Sequence, residues 1–178
     1  MPTVVVIPTY NESDNIETLV RELLSLPAQP LYIVIVDDNS PDGTGMIADS
    51  LARVHPQVRV IHRPRKLGLG TAHIAGMKES LKLGAERVLT MDADFSHQPS
   101  YIPPLISHSQ HYDLVIGSRY VSGGGSLHCG LKRRALSWTA NAFARLALGL
   151  EAHDCTAGFR LYRREVLETI GLDNIFSN

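Results

Sequence analysis

The chain has two cysteines in 178 residues, Cys129 and Cys155. Two are too few for a disulfide framework, and their spacing is no CxxC, so both read as thiols of a reducing compartment. No GxGxxG follows the first apolar run and no GxxxxGK[ST] occurs. Both glycine-loop phosphate cradles are thereby excluded. The eight histidines are scattered and form no HExxH, so no zinc site is assigned. No apolar run is long enough to cross a bilayer. No basic segment followed by an apolar stretch opens the chain, so no secretory signal is read. The net charge of −1 gives no global pull toward nucleic acid, which is not expected as a partner.

What is present is an ordinary globular composition, 44% hydrophobic and 20% charged, at a length that fits one domain with a sizeable core. Short β-branched runs alternate with amphipathic stretches. Val4–Ile7 reads as a strand ended by Pro8. Asp14 and Glu17 suggest a capped helix that carries Ile16, Leu19, Val20, Leu23 and Leu24 and stops at Pro27. Further strands are expected at 31–36, 58–61, 88–91 and 114–117. Helices are expected around Ile47–Val54, at 71–83 with Gly84 as its cap, and at 99–109. After Gly117 the alternation ends. Gly123-Gly124-Gly125 reads as a loop and 132–148 as a longer helix. The strands are too apolar to have a wet face, which argues an α/β fold: a three-layer α/β/α sandwich around a mostly parallel sheet.

The polar clusters follow the strands: Pro8-Thr9-Tyr10-Asn11-Glu12, then Asp37-Asp38, then Asp92 and Asp94, then Ser118-Arg119-Tyr120. In a parallel sheet all four share one edge, where ligands of open α/β sheets collect. Leu89-Thr90-Met91-Asp92-Ala93-Asp94 is the most informative stretch. Two carboxylates beyond a strand suit a hard divalent cation that also takes phosphate oxygens. The same Asp-x-Asp also suits a plain turn with a helix cap. Tyr10 can stack on a base, and Asp38 can accept an N–H from a base or a ribose hydroxyl.

Six motifs then occur in order: Pro8-Thr9-Tyr10-Asn11-Glu12, Asp37-Asp38-Asn39-Ser40-Pro41-Asp42, Gly68-Leu69-Gly70-Thr71-Ala72, Met91-Asp92-Ala93-Asp94-Phe95-Ser96-His97, Gly117-Ser118-Arg119-Tyr120 and Asp154-Cys155-Thr156-Ala157-Gly158-Phe159-Arg160. Together they resemble the polyprenol monophosphomannose (dolichol-phosphate mannose) synthases, inverting glycosyltransferases of the GT-A fold. The resemblance covers nearly the whole chain and implies a single GT-A domain over 1–178. It implies transfer of mannose from GDP-mannose to a polyprenyl (dolichyl) phosphate in a membrane. By match to the motifs, Pro8, Tyr10, Glu12 and Asp38 hold the guanosine. Asp92, Ala93 and Asp94 engage the nucleotide sugar, with Asp92 and Asp94 on Mg²⁺ or Mn²⁺. Some relatives carry a further metal ligand as Gln two residues after the second Asp; here that position is Ser96. The implied setting is cytoplasmic, peripheral at a membrane face, and leaves room for a membrane-anchoring subunit. Relatives continue for several tens of residues past Asn178, so the acceptor groove and lid are expected to be cut short.

A phosphate-monoester acceptor has a second pKa of ~6 and is already an oxyanion at neutral pH. It needs no general base. It needs cations that let it approach a diphosphate. Asp94 serves the donor side; Arg119, and Arg133 from the run Lys132-Arg133-Arg134, are expected to carry the acceptor phosphate. Arg63, Arg65 and Lys66 read equally as a wet loop or as part of the site. A transferase of glucose or another sugar from UDP or GDP, and a non-catalytic nucleotide-sugar-binding module, both stay open at this level.

Overall fold

The computed structural model describes residues 2–27, 30–118, 121, 149 and 154–175. Arg119, Tyr120, the Gly123–Gly125 loop, the expected helix over 132–148 and Arg133 within it lie outside these residues. The elements run β1 (Thr3–Thr9), α1 (Ile16–Ser25), β2 (Leu31–Asp37), α2 (Thr44–Val54), β3 (Val58–His62), α3 (Leu69–Lys82) and β4 (Arg87–Thr90). A 3₁₀ turn (Pro99–Tyr101) leads into α4 (Ile102–His108). Then come β5 (Leu114–Ile116), β6 (Arg160–Arg163), α5 (Arg164–Ile170) and a second 3₁₀ turn (Leu172–Asn174).

The six strands form one sheet in the order β3-β2-β1-β4-β6-β5. β1 pairs in parallel with β2 on one side and β4 on the other, and β3 continues the parallel set. Strand alternation splits the core in two. Val5, Ile7, Ile33, Ile35, Leu89 and Leu161 face one way and pack with α1, α2 and α4. Val4, Val6, Val34, Val36 and Val88 face the other way and meet Ala72 and Met77 of α3 and Leu167 of α5. This is the three-layer arrangement expected.

Four details differ from expectation. β1 continues through Pro8 instead of ending there. The Met91 amide donates to the Val6 carbonyl, so even-numbered residues of β1 turn toward β4. β4 has left the ladder by Thr90, opposite Val6, so the N–H that Pro8 lacks has no partner to lose. Asp14 does not cap α1: the residue before the helix is Asn15, and no side chain bonds the first turn. The Glu12 carbonyl instead accepts the Asn15 and Ile16 amides, at 3.1 and 3.0 Å. β6 and α5 were not foreseen. β6 enters the sheet antiparallel between β4 and β5. Its sequence, Arg160-Leu161-Tyr162-Arg163, buries only Leu161, so it lacks the apolar run that marks the other strands.

Gly84, at φ 78°, closes α3 as expected, with its amide on the Leu81 carbonyl and that of Ala85 on Ser80. Gly76 sets how close α3 lies to the sheet. A Cβ built there would sit 2.2 Å from Val6 Cγ1 and 3.2 Å from Val36 Cγ2, both core atoms with no route to retreat. Gly76→Ala should therefore cost about 1–3 kcal/mol despite the better helix propensity of Ala. Urea unfolding of the two proteins measures it; equal midpoints would show that α3 can shift freely.

Candidate active site

The three parallel ladders deliver the loops after β1, β2 and β4 to one edge of the sheet. Adjacent strands lie about 4.8 Å apart, so the ends of β2 and β4, flanking β1, are about 10 Å from each other. That places Asp38 and Asp94 on the same rim.

The loops after β1 and β2 are joined by side chains that relay hydrogen bonds. Asp37 is buried and accepts from Thr9 Oγ1 at 3.0 Å, from the Ser40 amide at 3.1 Å and from Ser40 Oγ. Ser40 Oγ in turn accepts the Asn11 amide at 3.1 Å. Asp42 Oδ1 accepts from the Thr44 amide and hydroxyl, and Thr44 Oγ1 accepts the Glu12 amide at 2.9 Å. Asp42 Oδ2 takes the Ser13 amide at 3.0 Å. Asn11 and Asn39, at φ 61° and 57°, make the left-handed turns this requires, a conformation Asn tolerates well. Desolvation works upward on the Asp42 carboxyl, but the bonds from Thr44 and Ser13 outweigh it and hold it well below the usual carboxylate range.

Asp38 is 5% exposed, and both its oxygens are engaged. Oδ1 is paired with Arg63 Nε and Oδ2 accepts the Leu67 amide at 3.1 Å. Arg63 is itself 8% exposed and also donates to Thr71 Oγ1 at 2.7 Å and the Gly68 carbonyl at 3.0 Å. Arg63 is thus no wet-loop residue: with Asp38 it folds the basic loop back over the β2 end. Lys66 then stands 3.9 Å from the centroid of the Tyr10 ring, a cation–π contact on a half-exposed aromatic. The exposed carboxylate-bearing loop is the one after β4. Ala93 is buried and anchors it, while Asp92 is half-buried and Asp94 exposed. Burial works upward on Asp94, but the Ser96 hydroxyl and amide and the nearby His97 win and hold its carboxyl below the usual value. The Ser96 amide to Asp94 Oδ1 distance is 3.0 Å.

Opposite this loop runs the segment from Asp154, itself buried, to Phe159. Thr90 Oγ1 donates to the Gly158 carbonyl at 2.7 Å, and Arg160 Nε to the Ala157 carbonyl at 2.7 Å. Cys155 is half-buried and offers its carbonyl to Arg160 Nη2. Two histidines complete the wall and were assigned no role from the sequence. His97 Nδ1 accepts the Asp92 amide at 3.0 Å. His73, on the second turn of α3, has a buried Nδ1 with no hydrogen-bond partner among the described residues. Burial lowers its pKa; Asp92 opposes this, and Arg160 and His97 add to it. His97 could have been found as part of the six-residue loop that holds both aspartates. A lone His at helical spacing, such as His73, carries no such signal.

The donor set at Asp92 and Asp94 is two carboxylates, hard oxygen donors, while the Nδ1 of His97 is already used by an amide. No three-donor cluster of His, Cys, Asp and Glu occurs among the described residues. The pair fits a cation that takes one or two protein carboxylates and completes its shell with phosphate and water oxygens, as Mg²⁺ and Mn²⁺ do. The cavity of about 320 Å³ lined by Glu86, Arg87, Ser109 and Arg163 opens at the opposite edge, beside the start of β4. Its cations are spoken for, Arg87 by Ser109 and Arg163 by Asp113 and Glu165, so it is not the donor site.

The family model of glycosyl transferase family 2 matches residues 4–171. The chain belongs to this family. It is 46% identical over 177 residues to a polyprenol monophosphomannose synthase of Mycolicibacterium smegmatis, covering 98% of this chain and 66% of that protein. It is 44% identical over 178 residues to an undecaprenyl-phosphate mannosyltransferase of Micrococcus luteus, covering 99% of this chain and 72% of that protein. The chain thus spans about two thirds of the length of these relatives. Glucosyl-3-phosphoglycerate synthase from Mycobacterium tuberculosis, solved with Mn²⁺, UDP and glucosyl-3-phosphoglycerate, superposes with a TM-score of 0.68 at 21% identity over 93% of this chain and 58% of that one. A mannosyltransferase from Pyrobaculum calidifontis, solved with GDP-Man and Mn²⁺, gives 0.61 at 18% identity over 95% of this chain and 46% of that one. These likenesses establish the GT-A fold of the family.

Two outcomes follow from the site's own bonding. Arg63→Met should cost about 3 kcal/mol of unfolding free energy, because it strands the buried Asp38 carboxylate. An unchanged denaturation curve would mean that the pair adds nothing net. Asp42→Asn tests the depressed carboxyl. Its folded pKa lies below the ordinary 3.8, so its stabilisation is complete above that value and is lost as pH falls through and below it. The stability gap between wild type and Asp42→Asn should therefore narrow on acidification. Because Asp42 is exposed, solvent screening keeps that gap small. Parallel pH curves would assign the gap to packing.

Proposed function

We propose that this chain carries the donor-binding core of a mannosyltransferase that moves mannose, with inversion, from GDP-mannose to a polyprenyl phosphate at the cytoplasmic face of a membrane. The observation that carries this reading is the shared rim: the Tyr10 loop, the Asp38–Arg63 loop and the Asp92/Asp94 loop leave the same sheet edge. The 44–46% identity to enzymes named for this chemistry supports it. No helix among the described residues is long and apolar enough to cross a membrane, which suits work at a membrane surface by a peripheral protein.

In this scheme the guanine lies against Tyr10, with Lys66 displaced from the ring or stacked on the base's far side. Glu12 stands beside it; one of its oxygens holds Asn15 Nδ2 at 2.8 Å. Asp38 acts mainly through the loop it pins with Arg63, since its carboxylate is already shared. Pro8 and Ala93 contribute backbone at the strand ends. Asp92 and Asp94 would hold Mg²⁺ or Mn²⁺, which when bound neutralises charge on the leaving diphosphate. Arg119 and Arg133 hold the acceptor phosphate. That acceptor is already ionised, so positioning and charge neutralisation supply most of the rate.

Transfer of radiolabelled mannose to a short-chain polyprenyl phosphate tests the reading directly. Label is expected in the lipid fraction with GDP-mannose and not with UDP-glucose; the reverse preference would overturn the donor assignment. Metal-dependent GDP binding without transfer would reduce the chain to a binding module. Asp94→Ala should abolish metal-dependent GDP binding, seen by calorimetry. Its melting temperature should stay within about 2 °C, since an exposed side chain carries little packing. Retained binding would move the metal role away from Asp94.

A further inference from the structure

His97 and Phe159 form a stacked pair, with ring centroids 5.0 Å apart and planes 9° from parallel. Each ring is fixed by a further contact. His97 Nδ1 accepts the Asp92 amide at 3.0 Å, so the neutral ring carries its proton on Nε2. The Asp92 carboxylate is farther off, 3.7 Å from Nδ1 at Oδ2, so the bond is to backbone. Phe159 is 3% exposed and its ring edge lies against Gly117; a Cβ built on Gly117 would sit 2.4 Å from Phe159 Cδ1. The Gly117 amide also donates to the Phe159 carbonyl at 2.8 Å. On the flank, a Cβ on Gly158 would meet His97 Cε1 at 3.4 Å and Asp92 Oδ2 at 3.6 Å. One stack thus links three segments distant in sequence: the aspartate loop after β4, the segment entering β6, and the end of β5 two residues before Arg119.

We propose that His97 is a positioning residue for the transfer reaction, holding the Asp92 backbone through Nδ1 and setting, through Phe159 against Gly117, the spacing between the metal-binding loop and the strand end that leads to Arg119. This rests on the donor reading above and deepens it. The geometry allows only limited replacement. An acceptor must occupy the Nδ1 position, and a flat ring must fill the slot against Phe159. Asn meets the first demand alone and Phe the second alone.

The test uses the full chain and Mn²⁺ with GDP as the probe, followed by water-proton relaxation. His97→Phe keeps the stack and strands the Asp92 amide, so it should weaken Mn²⁺–GDP binding about tenfold. His97→Asn restores the acceptor but leaves the slot against Phe159 unfilled, so it should recover binding only in part, to about threefold weaker than wild type. In a double-mutant cycle, His97→Phe should cost nothing further once Asp92→Asn is present, because its effect passes through Asp92. Wild-type binding by His97→Phe, or fully additive losses, would overturn the proposal. A nitrogen-15 spectrum of the histidine rings gives a readout that needs no ligand: the Nε2–H tautomer is expected for His97, and an Nδ1–H form would overturn it. A wild type that binds Mn²⁺–GDP yet transfers no mannose would count against the mannosyltransferase reading alone and leave the joint standing. A wild type that does not bind Mn²⁺–GDP would sink both.

Discussion

The hydrogen bonding of β1 on both sides by parallel partners is the constraint on which the rest of the molecule depends. A parallel neighbour cannot be reached by a tight turn, so each crossover must leave and re-enter the sheet. The loops after β1, β2 and β4 therefore open at one edge with no choice in the matter. Polar residues that would be destabilising inside these apolar strands are collected where the ladders stop. Pro8 marks one such stop: it sits where β4 has already diverged, so the strand loses no bond to it.

The carboxylates at that edge divide by what they already hold. Asp37 and Asp42 are saturated by hydroxyl and amide donors from neighbouring loops, and Asp38 is closed by a buried guanidinium. These three build the shelf. Asp92 and Asp94, by contrast, keep exposed carboxylate surface, and Asp94 is held ionised by Ser96. An acidic residue that has spent its lone pairs on the fold cannot also neutralise an ion strongly. The division therefore separates scaffold from chemistry without reference to motif.

Much of this was legible in the sequence, for stated reasons. Val4–Ile7 and Leu31–Val36 are too apolar for any place but a doubly covered strand, and Gly84 after a helical stretch announces its cap. The Asp-x-Asp beyond β4 was visible because two charges abutting an apolar run have few structural uses. What stayed hidden depends on distant partners. Arg63 reads as loop until Asp38 is found beside it. His97 reads as motif filler until its ring is seen between Asp92 and Phe159. β6 escaped because its polar alternate residues lean on loops and the sheet margin, where periodicity says little. Asp14 misled because a good capping residue guarantees nothing when a carbonyl one turn earlier already serves the same amides.

The placement of β6 also governs the order of assembly. Among the described residues β5 lies at the margin of the sheet, and its sole strand neighbour is β6. During synthesis β1 to β4 can pair with one another as soon as Thr90 has emerged, while the other edge of β4 waits for β6. β5 must wait for a strand made some forty residues later, with its backbone groups unsatisfied meanwhile. A pause or cleavage between Ile116 and Arg160 would thus leave β4 with one bare edge and β5 as a dangling, adhesive strand.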